Sequence, residues 1–246
     1  MRTLYGIDGC KSGWLVVSQA SGDIAVTASL NHDIGSFSNQ LAPDDIVVID
    51  MPIGLPDADQ PVRDCDRLAR KVLGNRHVCV FSPPCREALC APNRDAASAV
   101  NQPLGRKITQ QTWAIRHKLQ ELDSFLRENP AMSGLFKEAH PEVSFAYWRQ
   151  EAGNLPAPTP FDTPKKRSDG KRRRRDLIEA TWPGALASVK TALETDHATG
   201  WAMDDLHDAF ACLHTARRIA RGNSRSLPDT NPPPRDAAGL YMVIHA

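Results

Sequence analysis

The segment Asp45-Ile46-Val47-Val48-Ile49-Asp50 constrains the fold more than any other stretch of this 246-residue chain. Four consecutive β-branched residues leave the strand no polar face, so it must be covered on both sides, as a central parallel strand is. Parallel neighbours need crossover connections, usually helical, and the chain is therefore expected to be α/β. Three shorter β-like runs precede it: Thr3–Asp8, Gly13–Ser18 and Ile24–Leu30. The gaps between them are short, which predicts an antiparallel meander. After the central strand, Met51-Pro52-Ile53-Gly54-Leu55-Pro56 breaks the chain sharply.

Downstream, a short polar helix is expected near 33–41 and fits between the third and fourth strands. A helix over about Pro61–Val72 follows the break, with Pro61 in its first turn. Residues 74–105 carry Pro83, Pro84, Pro92 and Pro103 and read as an irregular excursion. The longest helix is expected over Arg106–Glu128, where Ile108, Ile115, Leu119, Leu122 and Leu126 keep one apolar face. A fifth strand fits Leu135–Ala139, and a helix starts at Pro141. The Pro-rich stretch after Leu155 and the basic run that follows it read together as a loop over about 155–175. A last helix spans Met203–Arg221, and Gly239–Ile244 offers an edge strand. No internal repeat is visible. Three antiparallel strands followed by parallel strands and helices is the order of a ribonuclease-H-like mixed sheet, here expected as one domain over residues 1–246.

Composition narrows the class. Apolar residues make up 41 % and charged residues 24 %, enough to bury a core in an ordinary globular chain. No apolar run approaches the roughly 18 residues of a membrane helix. Met1-Arg2-Thr3-Leu4-Tyr5 enters a strand with no apolar h-region before it, so a cytoplasmic chain is expected. Six cysteines without a CxxC pair predict reduced thiols, and the spacing of Cys79, Cys85 and Cys90 is not a usual zinc pattern. The net charge of +1 hides an asymmetry: residues 165–175 carry +7 and the remainder −6.

The carboxylates carry the chemistry. Asp8 ends the first strand and Asp50 the fourth, and ligands of α/β sheets gather outside the carboxyl ends of strands. Glu138 ends the fifth strand and repeats that placement, so it is preferred to Glu142, which falls in the first turn of the next helix. His140 reads as a polar residue beside a helix cap. In the last helix, at about 100° per residue, Asp205 borders the apolar arc and Asp208 lies next to it one turn along. Asp204 lies farther out, at a capping position, and His207 points away from the arc. Each acid alone is an ordinary turn or first-turn residue. Brought to one point, they would repel unless a cation sat among them. Magnesium or manganese, bound through hard oxygen ligands, would supply that charge. Two such ions about 4 Å apart cleave phosphodiesters with an activated water.

Gly6-Ile7-Asp8-Gly9-Cys10-Lys11-Ser12-Gly13-Trp14 and Ile49-Asp50-Met51-Pro52-Ile53-Gly54-Leu55-Pro56 resemble blocks of domain-of-unknown-function family 429. Further similar blocks are Arg63-Asp64-Cys65-Asp66, Leu73-Gly74-Asn75-Arg76, Val80-Phe81-Ser82-Pro83-Pro84, Glu138–Phe145 and Asp204–Ala209. The resemblance implies a ribonuclease-H-like fold and a nuclease activity, with Asp8, Asp50, Glu138 and the Asp205/Asp208 pair as the acidic site. Leu206 and His207 depart from the family's small or apolar residues, and the run Arg172–Arg175 is denser than the family pattern.

Lys11, Arg76 and Arg86 lie in loops beside the matched blocks and are candidates for holding phosphate. Lys165, Lys166, Arg172, Arg173, Arg174 and Arg175 form the strip expected to track a nucleic-acid backbone, without aromatic residues for stacking. The function expected is therefore metal-dependent hydrolysis of phosphodiesters in nucleic acid. Two alternatives stand beside it. One is an actin-like or sugar-kinase-type phosphotransferase, for which Asp8-Gly9-Cys10-Lys11 would grip phosphate. The other is a non-catalytic nucleic-acid-binding protein in which the acids form an ion-pair network.

Overall fold

A computed structural model describes residues 1–246. In chain order the elements are β1 (Thr3–Cys10), β2 (Gly13–Ala20), β3 (Thr27–Asn31), α1 (Ile34–Ser38), β4 (Ile46–Ile49), α2 (Asp64–Leu73), α3 (Arg86–Leu89) and α4 (Arg94–Val100). They continue with α5 (Gln110–Ala114), α6 (Arg116–Glu128), α7 (Pro130–Ser133), β5 (Phe136–Ala139), α8 (Pro141–Ala152), α9 (Ser168–Thr181), α10 (Ala185–Thr195), α11 (Met203–Ala220), β6 (Ser226–Leu227) and β7 (Ile244–His245). No helix is long and apolar enough to cross a membrane.

All seven strands form one mixed sheet in the order β3-β2-β1-β4-β5-β7-β6. The meander is antiparallel, as its short gaps predict, whereas β1, β4, β5 and β7 run parallel. The β-branched run of β4 lies inside the sheet and splits its side chains between two cores. Val48 joins Leu4, Leu15, Val17 and Ala139 beneath Leu206, Phe210 and Leu213 of α11. Val47 and Ile49 join Tyr5, Ile7 and Val16 against Leu119, Leu122 and Leu126 of α6. Helices therefore cover both faces, and the strand is apolar throughout because neither face meets water.

Four expectations need correction. The longest helix is α11, of 18 residues, and the stretch expected over Arg106–Glu128 begins later and breaks at Ile115 into α5 and α6. The basic run is a loop only as far as Arg167: Ser168–Thr181 is a helix, since Lys and Arg are good helix formers and Asp169 sits in the first turn. The excursion over 74–105 contains α3, α4 and two 3-10 turns. Finally, the C-terminal strand is not an edge strand. β7 lies between β5 and β6, and the two-residue β6 forms the edge, which is too short to template further pairing.

The approach of α11 to the sheet is set by one residue. Gly6, in the middle of β1, lies directly under α11: a Cβ there would come within 2.1 Å of Ala209 O and 2.2 Å of Leu213 N. Both are backbone atoms, so they cannot rotate aside. Gly6→Ala is expected to destabilise the protein by about 3 kcal/mol or more through overpacking, read as a lower urea midpoint. An unchanged midpoint would show that α11 rides higher over β1 than described.

A candidate metal centre at the sheet edge

Strand register places the first two carboxylates. Ile7 pairs with Ile49 in the parallel β1–β4 ladder, and Asp50 N donates to Ile7 O at 2.9 Å. Asp8 and Asp50 are therefore level, and level residues of parallel neighbours face the same side. That side is the one α11 covers. Asp8 is held in place by Gly9 N, which donates to its Oδ1 at 2.8 Å. Asp208 descends from the first turns of α11. Oxygens of Asp8, Asp50 and Asp208 all lie within 4.8 Å of one another. The close seat of the helix on Gly6 makes this convergence possible.

Glu138 does not join them, although it too ends a strand. Glu138 is level with Ile49, so its side chain follows Ile7 and Ile49 to the opposite face. There its Oε2 accepts from Ile53 N at 2.7 Å and from the fully buried Arg63, which also donates to Asp66 at 3.1 Å. Glu138, Cys65 and Asp66 form a second acidic group built around that guanidinium. The residue level with Asp50 is Ala139, and the chain then delivers His140 and Glu142 to the Asp50 side. Both line one cavity with Asp50 and Asp208.

Glu142 is committed elsewhere. Both its oxygens accept from Arg174 Nη2 at 2.6 Å, and Arg76 Nη2 stands 3.9 Å away. Asp205 borders the cluster while accepting from Ala202 N at 2.8 Å as a helix cap. Asp204 stands outside the cluster. His207, expected on the outer face, is buried beside Arg174, and burial pulls it down to about 4. Cys79, Cys85 and Cys90 share no metal-ligating group.

The basic candidates separate in the same way. Lys165 donates to Asp208 Oδ2, which places an ammonium inside the acidic cluster. Lys166 and Arg76 line the same cavity. Lys11 lines a neighbouring cavity beside Asp205. Arg86 is corrected from phosphate ligand to cross-link: it grips both oxygens of Asp123 at 2.7 and 2.8 Å and Asp236 at 2.6 Å. Of the Arg172–Arg175 strip, Arg174 points inward and is fully buried on Glu142. Arg173 pairs with Asp162 and Arg175 with Asp176 on the surface, and Arg172 is exposed.

Burial and mutual repulsion govern the charges. Burial, then Asp50 and Asp208, push the Asp8 carboxyl well above the ordinary carboxylate range. Burial lifts Asp50 and Asp208 to about 7 against the pull of Lys165. Burial pulls the Lys165 ammonium down, but Asp208, Asp50 and Asp8 outweigh it and hold its pKa above the ordinary value. Ionised, the three acids and Lys165 leave a net charge of −2. Asp208 Oδ1 is buried without a hydrogen-bond partner. Three carboxylates whose oxygens lie within 4.8 Å of one another stand close enough for a small shift to gather them on one hard divalent ion, and the charge matches. A buried orphan acceptor beside two further carboxylates is the donor set such an ion takes.

Two outcomes follow from this geometry. Arg174→Ala leaves Glu142 buried without its partner and is expected to cost about 3–5 kcal/mol, whereas Arg172→Ala changes stability by less than about 0.5 kcal/mol. Denaturant melts of the two variants check this contrast. In chelator, Asp8→Asn removes a carboxyl whose folded-state pKa is raised, and that group's stabilisation is lost as pH rises through it. The stability of Asp8→Asn relative to wild type is therefore expected to grow as pH rises above about 4, the ordinary carboxylate value. A pH-independent difference would place Asp8 outside the repelling cluster.

Comparison with known proteins returns one family. A family model described as "Protein of unknown function (DUF429)" matches residues 6–232. No curated protein matches the chain. No solved structure matches it either. The matched span contains Asp8, Asp50, Glu138, Glu142 and Asp208, every acid on which this geometry turns, and the chain belongs to the DUF429 family.

Proposed function

We propose that this chain is a ribonuclease-H-like, metal-dependent hydrolase of phosphodiester bonds in nucleic acid. The observation that carries the reading is the meeting of Asp8, Asp50 and Asp208 oxygens within 4.8 Å, with Asp208 Oδ1 left without a partner. The strand order supports the fold: an antiparallel meander β3-β2-β1 continues into parallel β4 and β5, with the acids at the carboxyl edge.

Asp8, Asp50 and Asp208 would hold Mg2+ or Mn2+. Bound there, such an ion supplies Lewis acidity toward a phosphoryl oxygen and makes water nucleophilic near neutral pH. Lys165 and Arg76 face the same cavity and supply cationic donors for phosphate oxygens. Lys165 also screens the acids from one another before an ion arrives. Arg174 holds Glu142 away from the ion position, so Glu142 acts on the acids through its charge.

The phosphotransferase alternative draws less support. It calls for two copies of this fold, and all seven strands lie in one sheet.

Manganese is expected to raise the melting temperature of the wild type, by the equivalent of about 2.7 kcal/mol at a hundred times its Kd. The shift should be larger at pH 8 than at pH 6, because ligand carboxyls lifted to about 7 must shed their protons to bind. Asp8→Asn and Asp208→Asn should lose most of the shift and at least about a hundredfold of any hydrolysis of labelled DNA or RNA, since even outer-shell partners of a metal cost that much. Equal manganese shifts in wild type and both variants would remove the metal from this site and the hydrolytic reading with it.

A further inference from the structure

Two cavities flank the carboxylate cluster, and Ala114 lines both. The first, of about 790 Å³, extends from Gly9 past Lys11, Lys118 and Trp201 to Asp205. The second, of about 650 Å³, extends from Asp50 and Asp208 past Arg76 and Lys165 to Phe81. They adjoin at Ala114, with Asp205 lining the first and Asp50 and Asp208 the second, so these acids lie where the two arms of the cleft meet.

Each arm repeats the same pair of features. One is a recessed cation. Arg76 has a side chain only 16 % exposed, and Lys118 lies with its ammonium 4.5 Å from the Trp14 ring centre while donating to Gly13 O. The other is a partly buried aromatic wall, Trp201 in the first arm and Phe81 in the second. Trp201 is fixed in advance. Its indole Nε1 donates to Ala198 O at 3.0 Å, and Lys11 N donates to Gly200 O at 2.9 Å. Gly200 presses so closely on the β1–β2 turn that a Cβ there would meet Ser12 Oγ at 1.8 Å.

A paired duplex hides its base faces and presents phosphates along an outer ridge. An unpaired strand offers phosphates to recessed cations and base faces to aromatic walls. We propose that the cleft carries one unpaired nucleic-acid strand straight through, stacked on Trp201 on one side of the acids and on Phe81 on the other. The inference rests on the hydrolytic reading above and adds its substrate class and its mode of cutting. Because the acids stand mid-cleft, the strand continues on both sides of the scissile phosphate and the cut is internal. In that step a water oxygen bonds to phosphorus and one P–O ester bond breaks. One water hydrogen ends on the leaving oxygen and the other on the new phosphate terminus.

Binding and cleavage test this separately. In the Asp8→Asn protein, fluorescence anisotropy would compare labelled single-stranded DNA, single-stranded RNA and a duplex of the same sequence. The single strand of at least one of the two is expected to bind about tenfold or more tightly than the duplex. Adding Trp201→Ala or Phe81→Ala should each weaken that binding about fivefold or more, the scale of one lost stacking contact, and Trp201→Phe should restore it. The wild type with manganese should open a circular single strand. Duplex bound as tightly as single strand overturns the proposal, as do both aromatic truncations leaving affinity unchanged in folded protein. So does a circle that resists while linear strands shorten from their ends. In the last case the hydrolytic reading survives. If no nucleic acid is cut and manganese does not shift the wild-type melt, that reading falls, and with it the internal cut.

Discussion

The contact between Gly6 and the backbone of α11 is the constraint on which the rest of the site depends. A helix laid over a strand is normally held off by the strand's own side chains. Here the missing Cβ lets Ala209 and Leu213 settle onto β1, and the helix delivers Asp208 to the level of Asp8 and Asp50. The same seat closes the apolar layer of Leu206, Phe210 and Leu213 over Val17 and Val48. Packing and site geometry thus have one cause.

Converging buried acids carry a standing electrostatic cost, and the structure offsets it with built-in cations. Lys165 enters the first cluster through Asp208, Arg174 neutralises Glu142, and Arg63 serves Glu138 and Asp66 on the far face. Burial lifts Glu138 to about 7 as it does Asp50 and Asp208, but only the first cluster sets three carboxylates against one cation and leaves a carboxylate oxygen, Asp208 Oδ1, without a partner. That imbalance is what the proposed metal site rests on, since an unpaired buried acceptor beside two further carboxylates has room for another cation.

Much of the scaffold was legible from local signals. A run of β-branched residues, a Pro-Gly break and short polar gaps mark strands because they act within a few residues of where they stand. The pairing of Asp8 with Asp50 was legible for the same reason, as both follow well-marked strands. Glu138 misled because ending a strand is not enough. A side chain's face alternates with every residue, and only the register of β5 against β4, with Glu138 beside Ile49, reveals that it points away. The run Arg172–Arg175 misled because a dense charge run has the composition of a solvated loop. One of its four members is instead buried on a carboxylate 32 residues earlier in the chain.

The sequence by itself determined where the main strands and helices fall and the antiparallel meander, and hence the α/β class, a β4 covered on both faces and the strand-end position of the first two acids. These follow from hydrophobic periodicity and turn chemistry, which are properties of neighbouring residues. The tertiary structure alone decided which charges meet: Asp208 with Lys165, Glu142 with Arg174, Arg86 with Asp123 and Asp236, Glu138 with Arg63. A charged side chain carries no local mark of its partner, because an ion pair is specified by distance and burial in space. Those quantities exist only once helices and sheet have packed.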